Sequence, residues 1–461
     1  MRIGSFSRLV AVPLVLVLSA CTPFMQYRTQ YDLCVNAGNE LMPSCAPHAL
    51  QQLKAGEGAD YLLGFVEFDD QGQLWDRKQM RAVVDRFTEE TAARDLLMVV
   101  FVHGWKHSAA PGDPNIDTFR KVLGKLSVDE AQIALQSGKP ARRVAGVYLG
   151  WRGGSVSVPW VENLTFWERK NTAQKVGHGG VTEVLARLEQ IKRDKDSVDA
   201  GRSATRLVVV GHSFGGAVVH TALSQILEAR FVRTRGPDGL QSDAEGFGNL
   251  VVLINPAFEA SQFTPLSDMS AERGNYFGTQ LPTIAILTSE ADYATRYAFP
   301  AGRHVSTFFE KTHDMQRWNQ TLRATETVSQ GEANVAAVGH FEPYRTHRLY
   351  PAKDTPRGAT PALPSRESVR NALQAASAWE KDEPGSKIAF ADLTLERTPN
   401  SAGRNPELLI YVSGKLIADH NDIDDERVIE FVKELVLIST LPPEHKEAAR
   451  RALQVAPPAQ Q

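Results

Sequence analysis

Leu207-Val208-Val209-Val210-Gly211-His212-Ser213-Phe214-Gly215-Gly216 is the stretch on which the reading of the whole chain turns. The aliphatic, β-branched run is short and bounded by polar residues, which predicts a buried parallel strand. Ala217-Val218-Val219 and the residues from Thr221 to Leu227 suit a helix. A strand that passes into a helix through a single tight turn forces the residue at its tip into an unusual backbone conformation. Glycines two positions before and two after Ser213 remove the side chains that would collide there and leave the hydroxyl exposed. Ser213 is therefore the candidate nucleophile.

Outward from this junction, further runs predict strands at Tyr61 to Phe68, Leu96 to Val102, Val144 to Leu149, Leu250 to Ile254, Thr283 to Leu287 and Leu408 to Val412. Helical patterns stand between most of them, at Thr118 to Leu126, Val181 to Ile191 and Gly216 to Ala229. Aliphatic strands alternating with helices imply an α/β fold with a mostly parallel central sheet flanked by helices. The long span at about 296–405, with Pro351, Pro356, Pro361 and Pro364 and no clean strand series, breaks this rhythm. It is read as an inserted lid or subdomain, because a structureless loop of that length does not suit a compact domain. The expected division is residues 1–20 as a signal segment, 21–59 as tether and N-terminal loop, 60–440 as the main domain, and 441–461 as a C-terminal tail.

A serine hydroxyl needs a base within hydrogen-bond reach and a third group to orient that base. Strand ends supply candidates. Thr288-Ser289-Glu290-Ala291-Asp292 follows one predicted strand, and Ile417-Ala418-Asp419-His420-Asn421-Asp422 follows the last, ahead of the amphipathic segment Arg427 to Ile438. Acid and then histidine, both after the serine, is the chain order that accompanies this kind of turn. His420 is the chosen base over His304, His313, His340 and His347, and Asp292 the chosen acid over Glu290 and Glu259. Asp419 and Asp422 are read as solvated or capping residues.

With these motifs in place, the chain resembles serine hydrolases of the α/β-hydrolase superfamily, similar to lipases and esterases. The resemblance implies Ser213 as nucleophile, His420 as base and Asp292 as acid. Phe101-Val102-His103-Gly104-Trp105 resembles the oxyanion loop, so that the amides of Trp105 and Phe214 would hold the developing negative oxygen. The implied reaction is cleavage of an ester or other acyl substrate, with no cofactor and no metal. An amide or thioester substrate for the same triad stays open, as does a non-catalytic envelope protein that uses the fold for binding. His103 is expected to support the oxyanion loop, His212 to pack beside the turn, and Arg152 to form a structural ion pair. The aromatic stretch from Trp160 to Trp167 is expected either to line an acyl pocket, to face a membrane, or to pack in the core.

At the amino end, Arg2 and Arg8 precede an apolar stretch from Leu9 to Leu18, too short to remain as a spanning helix and read as a secretory signal. Leu18-Ser19-Ala20-Cys21 resembles the lipobox of bacterial lipoproteins, which implies acylation of Cys21. Thr22 beside that cysteine resembles proteins sent to the outer membrane, so a lipid-anchored envelope location is expected. Cys34 and Cys45 are expected to form a disulfide outside the cytoplasm, and their spacing does not suit zinc. With 51 basic and 54 acidic residues and a net charge of -3, no block of like charge favours a nucleic-acid partner.

Overall fold

The computed structural model describes residues 23–36, 38, 41–56, 59–154, 166–199, 202–353, 365–381, 383, 385–423 and 425–453. The expected signal segment, Cys21, Trp160 and Pro356, Pro361 and Pro364 lie outside these residues.

The strands are β1 (Gln30–Val35), β2 (His48–Lys54), β3 (Asp60–Glu67), β4 (Leu96–Val102), β5 (Arg143–Gly150), β6 (Arg206–His212) and β7 (Leu250–Ile254). They continue as β8 (Ile284–Ser289), β9 (Asp314–Asn319), β10 (Ala324–Ser329), β11 (His347–Pro351), β12 (Lys387–Phe390), β13 (Leu393–Arg397) and β14 (Glu407–Val412). One twelve-stranded sheet has the order β1-β2-β3-β5-β4-β6-β7-β8-β14-β11-β13-β12. From β3 across to β11 every neighbouring pair is parallel. The pair β9 and β10 forms a separate antiparallel hairpin.

The central strands read as unbroken apolar runs because both of their faces are covered. Alternation along β4 shows the two layers: Met98, Val100 and Val102 enter one core, while Leu97, Val99 and Phe101 enter the other. The first core is shared with the helices Arg77–Ala93, Thr182–Val198 and Phe214–Arg233, and the second with Pro114–Ser137, Ser365–Glu380 and Glu426–Thr440. Successive connections run in opposite directions on the two sides of β4 and β6. This reversal opens a crevice at the carboxyl ends of those strands, where α/β sheets place ligands.

Three boundaries drawn from the sequence are corrected. Part of the expected tether at 21–59 forms β1 and β2, which extend the sheet beyond β3. A polar, mixed composition hid these strands: Gln51 in β2 is buried because its side-chain amide donates to the carbonyls of Cys45 and His48. Cys34 and Cys45 are joined by a disulfide, a closure that stabilises by about 3 kcal/mol in the chain-entropy account. The span 296–405 lacks a clean strand series only in its sequence pattern, since β11, β12 and β13 lie at one end of the main sheet. They lie toward the margin of the sheet, with β12 at its edge, and carry charged residues such as Arg348, Lys387 and Glu396, so no continuous apolar run appears. Within 441–461, the helix Pro443–Ala452 packs Ala449 and Leu453 against Val369, Leu373, Leu437 and Leu441. Among the described residues no helix is long and apolar enough to cross a membrane.

Candidate active site

Ser213 stands between β6 and the helix Phe214–Arg233, with φ 56° and ψ −121°. A non-glycine residue in such a conformation costs on the order of 1 to 3 kcal/mol and persists only where its surroundings impose it. Here the neighbouring strand does so: the Ser213 amide donates to the Ile254 carbonyl at 2.9 Å, and the Ser213 carbonyl accepts from the Ala257 amide at 3.1 Å. Gly215 allows the close approach that the turn needs, since a Cβ there would sit 2.0 Å from the Val102 carbonyl oxygen.

The structure brings the three expected side chains together from three strand ends. Ser213 Oγ lies 2.7 Å from His420 Nε2, and His420 Nδ1 lies 2.9 Å from Asp292 Oδ2. Asp292 follows β8 and His420 follows β14, and these strands pair directly. Asp292 is fully buried. Burial pushes its carboxyl upward, but hydrogen bonds from His420 and Thr295, with the charge at His420, outweigh this and hold it below the ordinary carboxylate value.

Two supporting arrangements escaped the sequence reading. The first fixes the histidine loop from behind. His212 Nε2–H and Asn255 Nδ2–H both donate to the His420 main-chain carbonyl, at 3.1 and 2.9 Å, while Asn255 Oδ1 accepts from the Ser289 amide at 2.9 Å. The second continues the chain of polar contacts past Asp292. The Thr295 hydroxyl donates to Asp292 Oδ2, its amide donates to Asp292 Oδ1 at 3.1 Å, and its oxygen lies 2.9 Å from His340 Nε2. Because an ionised carboxylate only accepts, the Thr295 proton points to Asp292 and His340 is the donor to Thr295. His340, a rival base in the sequence, thus stands behind Asp292. The only sequence signal for either arrangement was a polar residue shortly after a strand. On the hydrolase expectation drawn from the sequence, removing the Thr295 hydroxyl in Thr295→Val is expected to lower kcat about tenfold, with Thr295→Ser retaining activity; steady-state kinetics with a nitrophenyl ester measure both.

The remaining candidates have other partners. Glu259 is buried against Lys170 Nζ at 2.7 Å and Arg303 Nε at 2.9 Å. Glu290 Oε1 accepts from the Gly414 amide at 2.8 Å, and Asp419 accepts from the His420 amide at 2.7 Å. Arg152 pairs with Asp70. His347 is buried away from the serine in β11, and His304 and His313 are exposed.

The loop after β4 lies against the serine: a Cβ on Gly104 would be 2.8 Å from Ser213 Cβ. His103 fixes that loop, with Nδ1–H donating to the Gly104 carbonyl at 2.9 Å and Nε2 accepting from the Trp151 amide at 3.0 Å. Trp105 packs edge-on against Phe166 with ring centroids 5.5 Å apart, and Phe166 against Phe214 at 4.8 Å. Of the aromatic stretch from Trp160 to Trp167, the described rings therefore pack over the start of the helix that follows Ser213. Behind the histidine loop, Val122, Val210, Ile423 and Val432 line an apolar cavity of about 290 Å³ with His212 at its edge.

Burial lowers the imidazole pKa of His103 to about 4, of His212 to about 3 and of His340 to about 4. All three are neutral in the folded protein at neutral pH, whereas an unfolded histidine takes up a proton below about pH 6.5. The unfolded chain therefore binds more protons as the medium is acidified, and stability is expected to fall between about pH 6.5 and 3. A melting temperature that drops steadily across that window checks this; an unchanged one contradicts it.

Among the described residues, no group of three or more His, Cys, Asp or Glu side chains is placed to hold a metal ion. No family model and no curated protein matches the sequence. Among solved structures, the chain is similar to a Trichoderma reesei cutinase in complex with a C11Y4 phosphonate inhibitor, at 15% identity and a TM-score of 0.15, over 39% of this chain and 67% of that one. It is also similar to the phospholipase PlaB from Legionella pneumophila in complex with thio-NAD, at 14% identity and a TM-score of 0.21, over 51% of this chain and 48% of that one. The chain thus spans about half of that phospholipase, and likeness at this level bears on neither reaction nor substrate.

Proposed function

We propose that this protein is a serine hydrolase of the α/β-hydrolase type that cleaves carboxylic esters through an acyl-enzyme intermediate. The observation that carries the proposal is the continuous line of contacts from Ser213 Oγ through the two ring nitrogens of His420 to Asp292. In this reading Ser213 Oγ attacks the ester carbonyl while His420 Nε2 takes its proton. Asp292 holds the Nδ1–H tautomer and stabilises the imidazolium. The amides of Trp105 and Phe214 receive the negative charge on the tetrahedral oxygen, and His420 then protonates the leaving alcohol. Water, deprotonated by the same ring, releases the acid.

Cys21 serves in this proposal as the acylated anchor of an envelope lipoprotein at the outer membrane. The part of the span 296–405 that precedes β11 serves as the cap beside the site. A protein that only binds has no need of a strained serine aligned with a buried His–Asp pair, which favours catalysis over the binding alternative. Purified protein is expected to turn over nitrophenyl esters from acetate to longer acyl chains. A folded sample, by circular dichroism, that hydrolyses none of them overturns the proposal.

A further inference from the structure

His340 belongs to the span 296–405, yet its ring joins the line of contacts that runs through Ser213, His420 and Asp292. The turn that carries it, Val338–His340, is held against the neighbouring strands β7, β8 and β14. Just after β7, the Phe258 carbonyl accepts from the Val338 amide at 3.0 Å, and the Ala260 amide donates to the Ala336 carbonyl at 2.9 Å. In β8, the Thr288 side chain lies so close to Gly339 that any Cβ there would collide with it. Beyond the turn, Arg345 Nε and Nη2 donate to the carbonyls of Gly339 and His340 at 3.1 and 2.9 Å. The Arg345 guanidinium stacks in turn on the Tyr411 ring of β14 at 3.8 Å, and the His340 ring stands edge-on to Tyr411 with centroids 6.2 Å apart. Since β8 leads to Asp292 and β14 to His420, the His340 ring is fixed to the same frame as both.

Its task follows from where the protons sit. Asp292 Oδ2 accepts from His420 Nδ1–H and from the Thr295 hydroxyl. A hydroxyl carries one proton and can turn it toward either neighbour. Thr295 Oγ1 stands between Asp292 Oδ2 and His340 Nε2. A His340 ring protonated on Nδ1 would draw the hydroxyl proton to itself and turn an oxygen lone pair on the carboxylate. A ring protonated on Nε2 occupies that lone pair and leaves the hydroxyl proton only Asp292 to bond. Burial keeps His340 neutral at neutral pH, so the ring has a single N–H to place. The carboxylate charge favours the Nε2–H form, and hydrogen bonds in series strengthen one another.

We propose that His340 is a positioning residue for the Ser213 site: its Nε2–H keeps the Thr295 hydroxyl proton on Asp292 and so holds the carboxylate in line with His420 Nδ1. The inference rests on the hydrolase reading. The rival role for His340 is packing against Tyr411, and the two roles call on different parts of the side chain.

The test exploits that difference. His340→Gln keeps an N–H donor at the reach of Nε2 and gives up the ring, whereas His340→Phe keeps the ring and gives up the donor. His340→Asn carries the same amide one methylene short, at the depth of Nδ1. Hydrolysis of nitrophenyl butyrate is measured in the full-length proteins, with folding checked by circular dichroism. His340→Gln is expected to stay within about twofold of the unsubstituted protein, and His340→Phe and His340→Asn to lower kcat about fivefold at unchanged KM. In a Thr295→Val background neither is expected to lower kcat further, because the hydroxyl through which His340 acts is gone. A His340→Gln protein no faster than His340→Phe overturns the proposal, as does a loss repeated in full in the Thr295→Val background. Should His340→Phe fail to fold, His340→Gln against His340→Asn decides in the same way. An unsubstituted protein that hydrolyses no ester removes the hydrolase reading and this proposal with it; an active protein that fails the comparison removes the proposal alone.

Discussion

Ser213→Ala is expected to lower the rate of ester hydrolysis by a factor of about 10⁵ to 10⁶, and His420→Ala by a similar factor. The reason lies in the 2.7 Å contact between Ser213 Oγ and His420 Nε2: in the proposed mechanism the hydroxyl attacks only if the ring takes its proton, and the ring has nothing to activate if the hydroxyl is gone. The two losses are therefore not additive, and the double variant is expected to be no slower than either single one. A residual rate above that of water is expected from the amides of Trp105 and Phe214, the proposed oxyanion donors, which remain. Nitrophenyl butyrate hydrolysis in the four proteins, with folding checked by circular dichroism, gives the cycle directly. Multiplicative losses in the double variant would show that serine and histidine do not act as a unit.

Asp292→Asn is expected to cost about 10⁴ in kcat with little change in fold. Thr295 donates to both carboxylate oxygens, and with the asparagine oxygen kept toward the Thr295 amide, the asparagine nitrogen takes the place of Oδ2 opposite His420 Nδ1. An N–H there favours the tautomer that carries its proton on Nε2, and that tautomer cannot accept the serine proton. The substitution also changes the acid side of the stability curve. A carboxyl held below its ordinary value contributes stability that is complete above an unfolded pKa of about 3.9 and is lost as pH falls through the lower folded value. Asparagine removes that acid-sensitive part. Melting temperatures of the two proteins between neutral and strongly acidic pH are expected to converge as the pH falls, and a gap that widens instead contradicts the assignment of an ionised, hydrogen-bonded Asp292.

The site was legible where its geometry is dictated by main-chain sterics. The glycines around Ser213 are required by contacts as close as that of Gly215 with the Val102 carbonyl, so they appear in the sequence as a local pattern. His420 and Asp292 were legible because the strands before them, β14 and β8, each carry an aliphatic run, Leu408 to Ile410 and Ile284 to Leu287, buried on both faces. What supports the site was not legible, because it depends on side chains that meet only in the fold. Thr295 and His340 are 45 residues apart and meet behind Asp292, and Asn255 reaches the His420 carbonyl across 165 positions. The same holds for the ends of the sheet. β1, β2, β12 and β13 lie toward its margins, where charged and amide side chains break the apolar alternation that reveals a central strand.

The most direct test of the account is reaction of the full-length protein with a fluorophosphonate, followed by peptide mapping of the adduct. Ser213 in its strained turn, aligned with His420 and Asp292, predicts a single phosphonylated residue at Ser213, with labelling abolished in Ser213→Ala and strongly slowed in His420→Ala. A folded protein that remains unlabelled, or that is labelled equally well after Ser213→Ala, would contradict it.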